Sequence, residues 1–300
     1  MNNLKALYKE RDLMLMIAPA ILLVIVFSYV PMYGLILSFI DLRPGLTLFS
    51  SEWVGLKWFE EFFHSPYFWR SLKNTFVISS LSLIIQFPLP IILALALNEI
   101  RNQFFKRLTQ SISYFPYFIS TVVIVGMMYN FLSVDSGIVN NLLRELGKEP
   151  INFFNSEGWF KPLYITSGVW QTLGWNAIIY LAALTAIDPT LYEASKIDGA
   201  SRMQQIWYIT VPGIFPTIMI LLLLNLGNML NIGFEKIILM YNPATYGVAD
   251  VVSTYVYRLG IQGGNYSLAT AVGFFNQVLN FILLLLFNHL SKRAGGERLW

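Results

Sequence analysis

Two apolar stretches of the chain carry polar side chains that could bind a solute. Asn225 and Asn228 stand three positions apart, so they share one face of a helix. The other stretch contributes Gln171, Thr172, Trp175 and Asn176. Amides hydrogen-bond hydroxyl groups and an indole can stack on a sugar ring, so this set suits a polyhydroxylated ligand. The alternative is that the amides join helices to one another, as they commonly do between membrane helices.

A polar stretch between two apolar runs, residues 188–212, has the capping signals of two short helices that meet at a corner. Asp188 can cap the first helix, Pro189 suits its first position, and Gly199 stands where a left-handed residue would end it. The Ser201–Gln204 pair has the spacing of a capping box that opens the second helix. Such a corner can protrude as a knob, although an ordinary connector would carry similar signals.

The composition places the chain in a lipid bilayer. Of 300 residues, 56% are hydrophobic and 12% are charged, with a mean hydropathy of +0.57, whereas soluble domains have about 25% charged residues. The net charge of +3 comes from dispersed basic residues, which argues against nucleic acid as a partner. The absence of cysteine excludes disulfides and thiolate metal sites, and the two histidines, His64 and His289, are far apart.

Six apolar runs are long enough to cross the membrane and must position these residues. The predicted spans cover about residues 13–36, 75–97, 112–132, 163–187, 214–233 and 267–289. The aromatic segment 41–73 is predicted to be amphipathic and interfacial or external, and the loop 133–162 to contain a short helix at 138–146. We therefore expect an all-α membrane protein in which residues 1–300 form a single transmembrane domain.

Lysine and arginine are densest in the short connections on one side of this arrangement. Because positive residues favour the cytoplasmic side, both termini and the corner at 188–212 are predicted to be cytoplasmic. The longer connections, including 234–266, are then external.

The corner resembles the EAA motif of binding-protein-dependent ABC importer permeases. That motif reads Glu-Ala-Ala, three residues, Gly, nine residues, Ile, one residue, Leu-Pro. The matching residues are Glu193, Ala194, Gly199, Ile209 and Pro212, with Ser195 in place of the third residue and Val211 in place of the leucine. Further segments are similar to the oligosaccharide and polysaccharide branch of the maltose-type permeases: Tyr29–Gly34, Asn98–Arg101, Tyr114–Ser120, Gly174–Tyr180, Tyr241–Pro243 and Arg298–Trp300.

The resemblance implies partners and residue roles. In such importers two related permeases sit on two copies of an ATPase, and an extracytoplasmic sugar-binding protein, expected to be a lipoprotein, delivers the solute. The corner would dock on the ATPase through Glu193, Ala194, Ser195, Asp198, Gly199, Ile209 and Pro212. Alignment on the motif places the sugar contacts of the family at Gln171, Thr172, Trp175, Asn225, Asn228 and Met229.

The resemblance therefore predicts a non-catalytic permease subunit, in a bacterial cell membrane, that imports an oligosaccharide or polysaccharide fragment. ATP and Mg would be held by the ATPase, since this chain has no Walker-type Gly-x-x-x-x-Gly-Lys-Ser/Thr segment and would bind no cofactor itself.

Two other classes of function compete with this prediction. A stand-alone secondary sugar carrier would want carboxylates within its spans or an inverted repeat, and neither is visible in the sequence. A membrane-embedded enzyme would need a catalytic constellation, and none is evident. The charge of the sugar stays open. The resemblance favours a larger oligosaccharide, acidic ones included, whereas the predicted wall of amides and aromatic rings suits uncharged sugars equally.

Overall fold

The structure is a computed structural model that describes residues 11–293. The predicted cytoplasmic termini and the Arg298–Trp300 segment lie outside this range. Backbone contacts divide the chain into two units. One contains the chain up to Ser65 together with Val256–Phe275, and the other contains Pro66–Tyr255 and the chain from Asn276 onward.

The first unit is a long helical run followed by a small hairpin and a short helix. Its elements are α1 (Arg11–Val24), a π-helical turn (Ile25–Tyr29), a 3-10 helix (Val30–Phe39), β1 (Ile40–Asp41), β2 (Glu52–Trp53), α2 (Lys57–His64) and a π-helical turn (Arg258–Gln262). The two strands pair antiparallel, with Ile40 opposite Trp53. Trp58 and Phe62 are buried on one side of α2, which confirms an amphipathic helix in this segment.

The second unit is built on one central helix, α8. The elements are α3 (Pro66–Gln86), α4 (Pro88–Glu99), α5 (Gln103–Tyr114), a 3-10 helix (Phe115–Phe118), α6 (Thr121–Leu132), α7 (Ile138–Glu145), α8 (Glu157–Thr185), α9 (Pro189–Ile197), α10 (Arg202–Gln205), a π-helical turn (Ile206–Thr210), α11 (Val211–Gly227), α12 (Phe234–Met240), α13 (Tyr246–Ala249) and α14 (Val252–Tyr257). A further helix, α15 (Tyr266–Arg293), passes through both units. Helices α3, α4, α5 and α11 all pack on α8.

Among the described residues, four helical runs are long and apolar enough to cross a membrane: Met14–Phe39, Pro66–Glu99, Arg202–Gly227 and Tyr266–His289. The pair Gln103–Phe118 and Thr121–Leu132 adds a fifth if it forms one span. Helix α8 is not among them, because polar side chains interrupt its apolar sequence. The count of six spans therefore stays a prediction.

The third predicted span is wrong as a single helix. The chain bends by 97° between Phe118 and Thr121. Ser120 begins the new helix by accepting a hydrogen bond from Val123 N at 3.4 Å, and Pro116 lies in the 3-10 segment before the bend. An N-cap and a proline within four residues thus break a run that looks continuous by hydropathy alone.

The fifth predicted span is shifted. Helix begins at Arg202 and ends at Gly227, so the chain is already helical before Pro212 and irregular where the prediction had it helical, at 228–233. The π-helical turn before Pro212 keeps the helix continuous, with Val211 N bonded to Ile206 O. The proline therefore lies inside the helical run.

The irregular segment after Gly227 is tied to α15 by amides. Asn280 Oδ1 accepts a hydrogen bond from Leu230 N at 2.9 Å, and Gln277 Nε2 donates to Asn231 Oδ1 at 3.2 Å. The polar residues of the sixth span thus join parts of the chain, as helix-linking amides do.

Close packing on α8 depends on one glycine. A Cβ atom at Gly174 would overlap the carbonyl of Ser113, so only glycine lets α5 cross α8 at this point.

Near the other end of α8, Asn140 of α7 donates to the carbonyls of Leu132, Ser133 and Ile151 at 3.0–3.1 Å. These hydrogen bonds fix the loop before α8. The short helix predicted at 138–146 is confirmed, since α7 covers Ile138–Glu145.

Candidate functional site

A cavity of about 440 Å³ lies in the second unit, lined mainly by α3, α8, α11 and the segment leading into α12. Five of the six residues predicted to contact the solute line it: Gln171, Thr172, Asn225, Asn228 and Met229. Residues from two stretches some fifty positions apart along the sequence are therefore brought together around one space.

Asn225 and Asn228 both have exposed side chains on the cavity wall. Their Nδ2 atoms donate within their own helical run, to Leu221 O at 2.8 Å and Leu224 O at 3.2 Å. Neither of these bonds crosses to another helix, which argues against the helix-linking alternative for this pair. Each carboxamide oxygen is left to accept a hydrogen bond from a hydroxyl group of a ligand.

Gln171 behaves differently from the two asparagines. Its Nε2 donates to Ile119 O at 3.2 Å, at the 97° bend between Phe118 and Thr121. The helix-linking alternative therefore describes at least part of its role, since the side chain connects α8 to this bend. The hydroxyl of Thr172 donates to Gly168 O at 3.0 Å within α8.

Trp175 does not line the cavity. Its ring stacks on Tyr117 with 4.3 Å between ring centroids and 2° between planes, and the ring of Phe118 stands nearly perpendicular to it with 5.9 Å between centroids. One face of the indole is thus covered by a tyrosine of the chain itself. Its assignment as a sugar-stacking residue stays a prediction, and Tyr117 is a partner that the sequence reasoning missed.

The cavity also has a cation that the sequence reasoning placed in an external connection. Lys236 is 7% exposed and lines the cavity, with Nζ 5.5 Å from the centre of the Tyr164 ring. Burial lowers the pKa of the Lys236 ammonium to about 8. Its position three residues after the predicted end of the fifth span was the only sequence signal for this site.

The corner at 188–212 has the predicted local geometry. Asp188 Oδ1 accepts from Thr190 N at 2.9 Å, and this hydrogen bond lowers the pKa of the Asp188 carboxyl. Gly199 has φ +77°, in the left-handed region. Ser201 and Gln204 form both bonds of a capping box. Each helix end is therefore satisfied by a nearby side chain or by a glycine turn, as the sequence predicts.

Two hydrogen bonds brace the inside of the corner. Gln205 Nε2 donates to Ser195 Oγ at 2.9 Å, and the hydroxyls of Tyr192 and Thr210 lie 3.0 Å apart. These bonds join α9 to the run that continues into α11, so they hold the angle of the corner. Ser195 was predicted to seat against a partner, whereas its hydroxyl has this internal role. The other three residues were missed by the sequence reasoning.

The outside of the corner presents the other predicted residues. Exposed are Glu193, Ala194, Asp198, Gly199 and Pro212, whereas Ser195 and Ile209 are half-buried. Three large apolar side chains are also exposed here: Leu191, Met203 and Ile197, the last at 87%. Exposed apolar side chains on a short polar corner that also exposes an acidic side chain are typical of a contact surface.

Apolar helices around a polar cavity, with a braced corner between two of the helices that line it, α8 and α11, are the features of a membrane transport protein. The chain belongs to the family described as binding-protein-dependent transport system inner membrane component, which matches residues 86–296. It is accordingly a multi-pass protein of the cell membrane and a permease of the ABC transporter class.

Relatives of known name match the whole chain. The polygalacturonan/rhamnogalacturonan transport system permease protein YteP of Bacillus subtilis (strain 168) is 46% identical over 98% of this chain and 92% of its own length. The crystal structure of a bacterial ABC transporter involved in the import of the acidic polysaccharide alginate contains a chain that is 43% identical. The match has a TM-score of 0.90 and covers 98% of this chain and 99% of that chain.

A second crystal structure shows the alginate ABC transporter in complex with an alginate pentasaccharide-bound periplasmic protein. Its matching chain is also 43% identical, with a TM-score of 0.88 and coverage of 97% of both chains.

Proposed function

We propose that this chain is one permease subunit of an ATP-driven importer of oligosaccharides or polysaccharide fragments. It pairs with a second, homologous permease, sits on two copies of an ABC ATPase that hold ATP and Mg, and receives its sugar from an extracytoplasmic binding lipoprotein. Supporting this is the 46% identity, over nearly the whole chain, to a permease named for polysaccharide transport. The alginate transporter with its sugar-bound periplasmic protein adds a related assembly.

The corner is the docking element for the ATPase. Glu193 offers a carboxylate to a basic group of the partner, Ala194 allows close approach, and Ile197 adds apolar contact. Gly199 supplies the left-handed turn that sets the angle between the two short helices. This docking requires a cytoplasmic corner, and hence six spans with both termini inside, where α8 serves as the fourth span.

One continuous helical run connects the corner to the cavity. Residues Arg202–Gly227 form one helical run of 26 residues, or about 39 Å at 1.5 Å per residue. The corner marks its beginning, and Asn225 and Asn228 lie at its far end. On the other side, α8 ends at Thr185, just before the corner. A displacement of the braced corner would therefore move α8 and α11, two of the helices that line the cavity, together.

Uptake into proteoliposomes tests this proposal. The complete importer is reconstituted with ATP enclosed, the binding protein outside, and labelled trigalacturonate as the probe. We expect uptake that requires ATP, the binding protein and the ATPase. Uptake that persists without ATP and follows an ion gradient would support the secondary carrier instead.

The topology has its own test, because the chain has no cysteine of its own. The variant Ile197→Cys carries a single thiol at a position that is 87% exposed. A membrane-impermeant maleimide should label it only from the cytoplasmic side, and the assembled ATPase should protect it. Labelling from outside intact cells would contradict the docking role.

A further inference from the structure

Three residues that line the cavity carry buried polar atoms for which the described residues supply no hydrogen-bond partner. In the described part of the chain, three buried side-chain atoms without a hydrogen-bond partner belong to cavity-lining residues: Ser79 Oγ, Ser82 Oγ and Lys236 Nζ. Buried polar groups are nearly always paired, so several unpaired donors among the residues that line one cavity mark a place where a ligand can bind. All three can donate hydrogen bonds, and the lysine can only donate.

Lys236 carries most of this argument. A buried ammonium is costly unless it is paired, and no carboxylate of the described residues lies within 4.0 Å of Nζ. The ring of Tyr164, at 5.5 Å, is a weak partner compared with a carboxylate. The neighbouring Glu235 also lines the cavity, but its side chain is exposed. The lysine is thus held as a charge on the wall without a counter-ion.

The surrounding packing keeps this lysine in place. Its neighbour Ile237 is fully buried in a cluster that includes Ile78, the residue before Ser79, together with Tyr164. Helices α3, α8 and α12 therefore contribute to one core. Ser79 and Lys236 are next in sequence to members of that core, and Ser79, Ser82 and Lys236 all line the cavity. A mobile surface lysine would show neither this burial nor this fixed surrounding.

We infer that Ser79, Ser82 and Lys236 form an anion subsite that receives a carboxylate of an acidic sugar, while Asn225 and Asn228 meet its hydroxyl groups. The inference rests on the proposed sugar-import function and adds the charge of the substrate to it. Neutral amides alone would not distinguish a uronic acid from a neutral hexose, whereas an unpaired buried ammonium favours the acid.

The test compares two sugars that differ only at C6, which is a carboxylate in one and an uncharged hydroxymethyl group in the other. Trigalacturonate and its carboxyl-reduced form are added to the purified importer complex without the binding protein, so that the selectivity of that protein does not enter. Binding is followed as the ligand-dependent rise of the melting temperature. We expect Lys236→Met to weaken the binding of trigalacturonate by about tenfold or more, and to leave the binding of the reduced sugar within about twofold.

The matched control is Lys161→Met. Lys161 is half-buried on α8, one turn before Tyr164, and does not line the cavity. This variant should bind both sugars like the wild type. Ser82→Ala, a milder change, should weaken only the acidic sugar, and less than Lys236→Met does. An equal loss for both sugars in Lys236→Met, or no loss for trigalacturonate, overturns the subsite.

A structural role for Lys236 makes a different prediction. If the lysine stabilises the fold, its removal lowers the melting temperature of the complex without ligand. If it awaits an anion, its removal raises that temperature, because an unpaired buried charge is lost. If the wild type takes up only the reduced sugar in an ATP-driven reaction, the anion subsite is contradicted but the proposed importer function is not. Uptake and binding of neither sugar would overturn both.

Discussion

In the corner, polar groups bond to one another across the bend, whereas in the cavity several described polar atoms bond to nothing in the protein. Ser195 and Gln205 illustrate the first arrangement, and Ser79 and Lys236 the second. A region whose polar groups are hydrogen-bonded to one another keeps its conformation when a partner applies force to it. A region with unmet donors keeps its capacity for a ligand. The difference supports the proposal that the corner couples to the ATPase and that the cavity binds the sugar.

The largest effect is expected from a substitution of Gly199, which tests whether the fixed shape of the corner is needed for transport. Its φ of +77° suits glycine, and no heavy atom lies within 4 Å of the position of an added Cβ, so any effect of substitution is one of the backbone. Valine in this conformation costs about 1–2 kcal/mol or more, enough to depopulate the native corner by about tenfold. We expect Gly199→Val to abolish most ATP-driven uptake while the binding protein keeps its affinity for the sugar.

Gly199→Asn is the matched control, because asparagine tolerates the left-handed region better than a β-branched residue does. It should retain most of the uptake. Equal loss in both variants would mean that the empty space beside Gly199, and not its backbone angle, is needed by a partner.

The brace inside the corner gives the next largest effect. Ser195→Ala restores the alanine of the EAA motif but removes the acceptor for Gln205. If the brace matters, Ser195→Ala and Gln205→Ala should each lower uptake by several-fold, in line with the loss of about 1 kcal/mol per hydrogen bond. The double variant should be no worse than either single one. Wild-type uptake by Ser195→Ala would show that the motif residue, and not the brace, decides coupling.

These two regions also differ in how far sequence could predict them. The corner depends on capping residues within a few positions of one another, so local chemistry was sufficient to place its helices. Burial of Lys236 depends on the packing of distant helices, and hydropathy assigned it to an external connection. The bend at Ser120 was missed because the third span was predicted from its hydropathy, and one N-capping serine hardly changes the mean hydropathy of an apolar run. Asn225 and Asn228 both line the cavity, although the helix ends at Gly227 and Asn228 lies just beyond it. Their role as solute contacts stays a prediction.

Substitutions of two cavity residues, Asn225 and Gln171, can distinguish a role in ligand contact from a role in linking helices. Asn225 uses one N–H within its own helix, whereas Gln171 bonds Ile119 at the bend. We expect Asn225→Ala to reduce uptake by a few-fold, for one lost hydrogen bond of about 1 kcal/mol, with little change in melting temperature. Gln171→Ala should lower the melting temperature of the complex. The opposite pattern would exchange the two roles.

The smallest effect is expected at Trp175, where the sequence and the structure point to different roles. Because its ring stacks on Tyr117 at 4.3 Å and lies outside the cavity lining, Trp175→Phe should retain a smaller version of that stack. Such aromatic pairs contribute about 0.5–1.5 kcal/mol, so we expect a slightly lower melting temperature and nearly normal uptake. Uptake and melting temperature measured on the same preparation decide the matter. A large loss of uptake at unchanged stability would show that Trp175 leaves Tyr117 during transport to contact the sugar, and the binding region would then extend beyond the cavity.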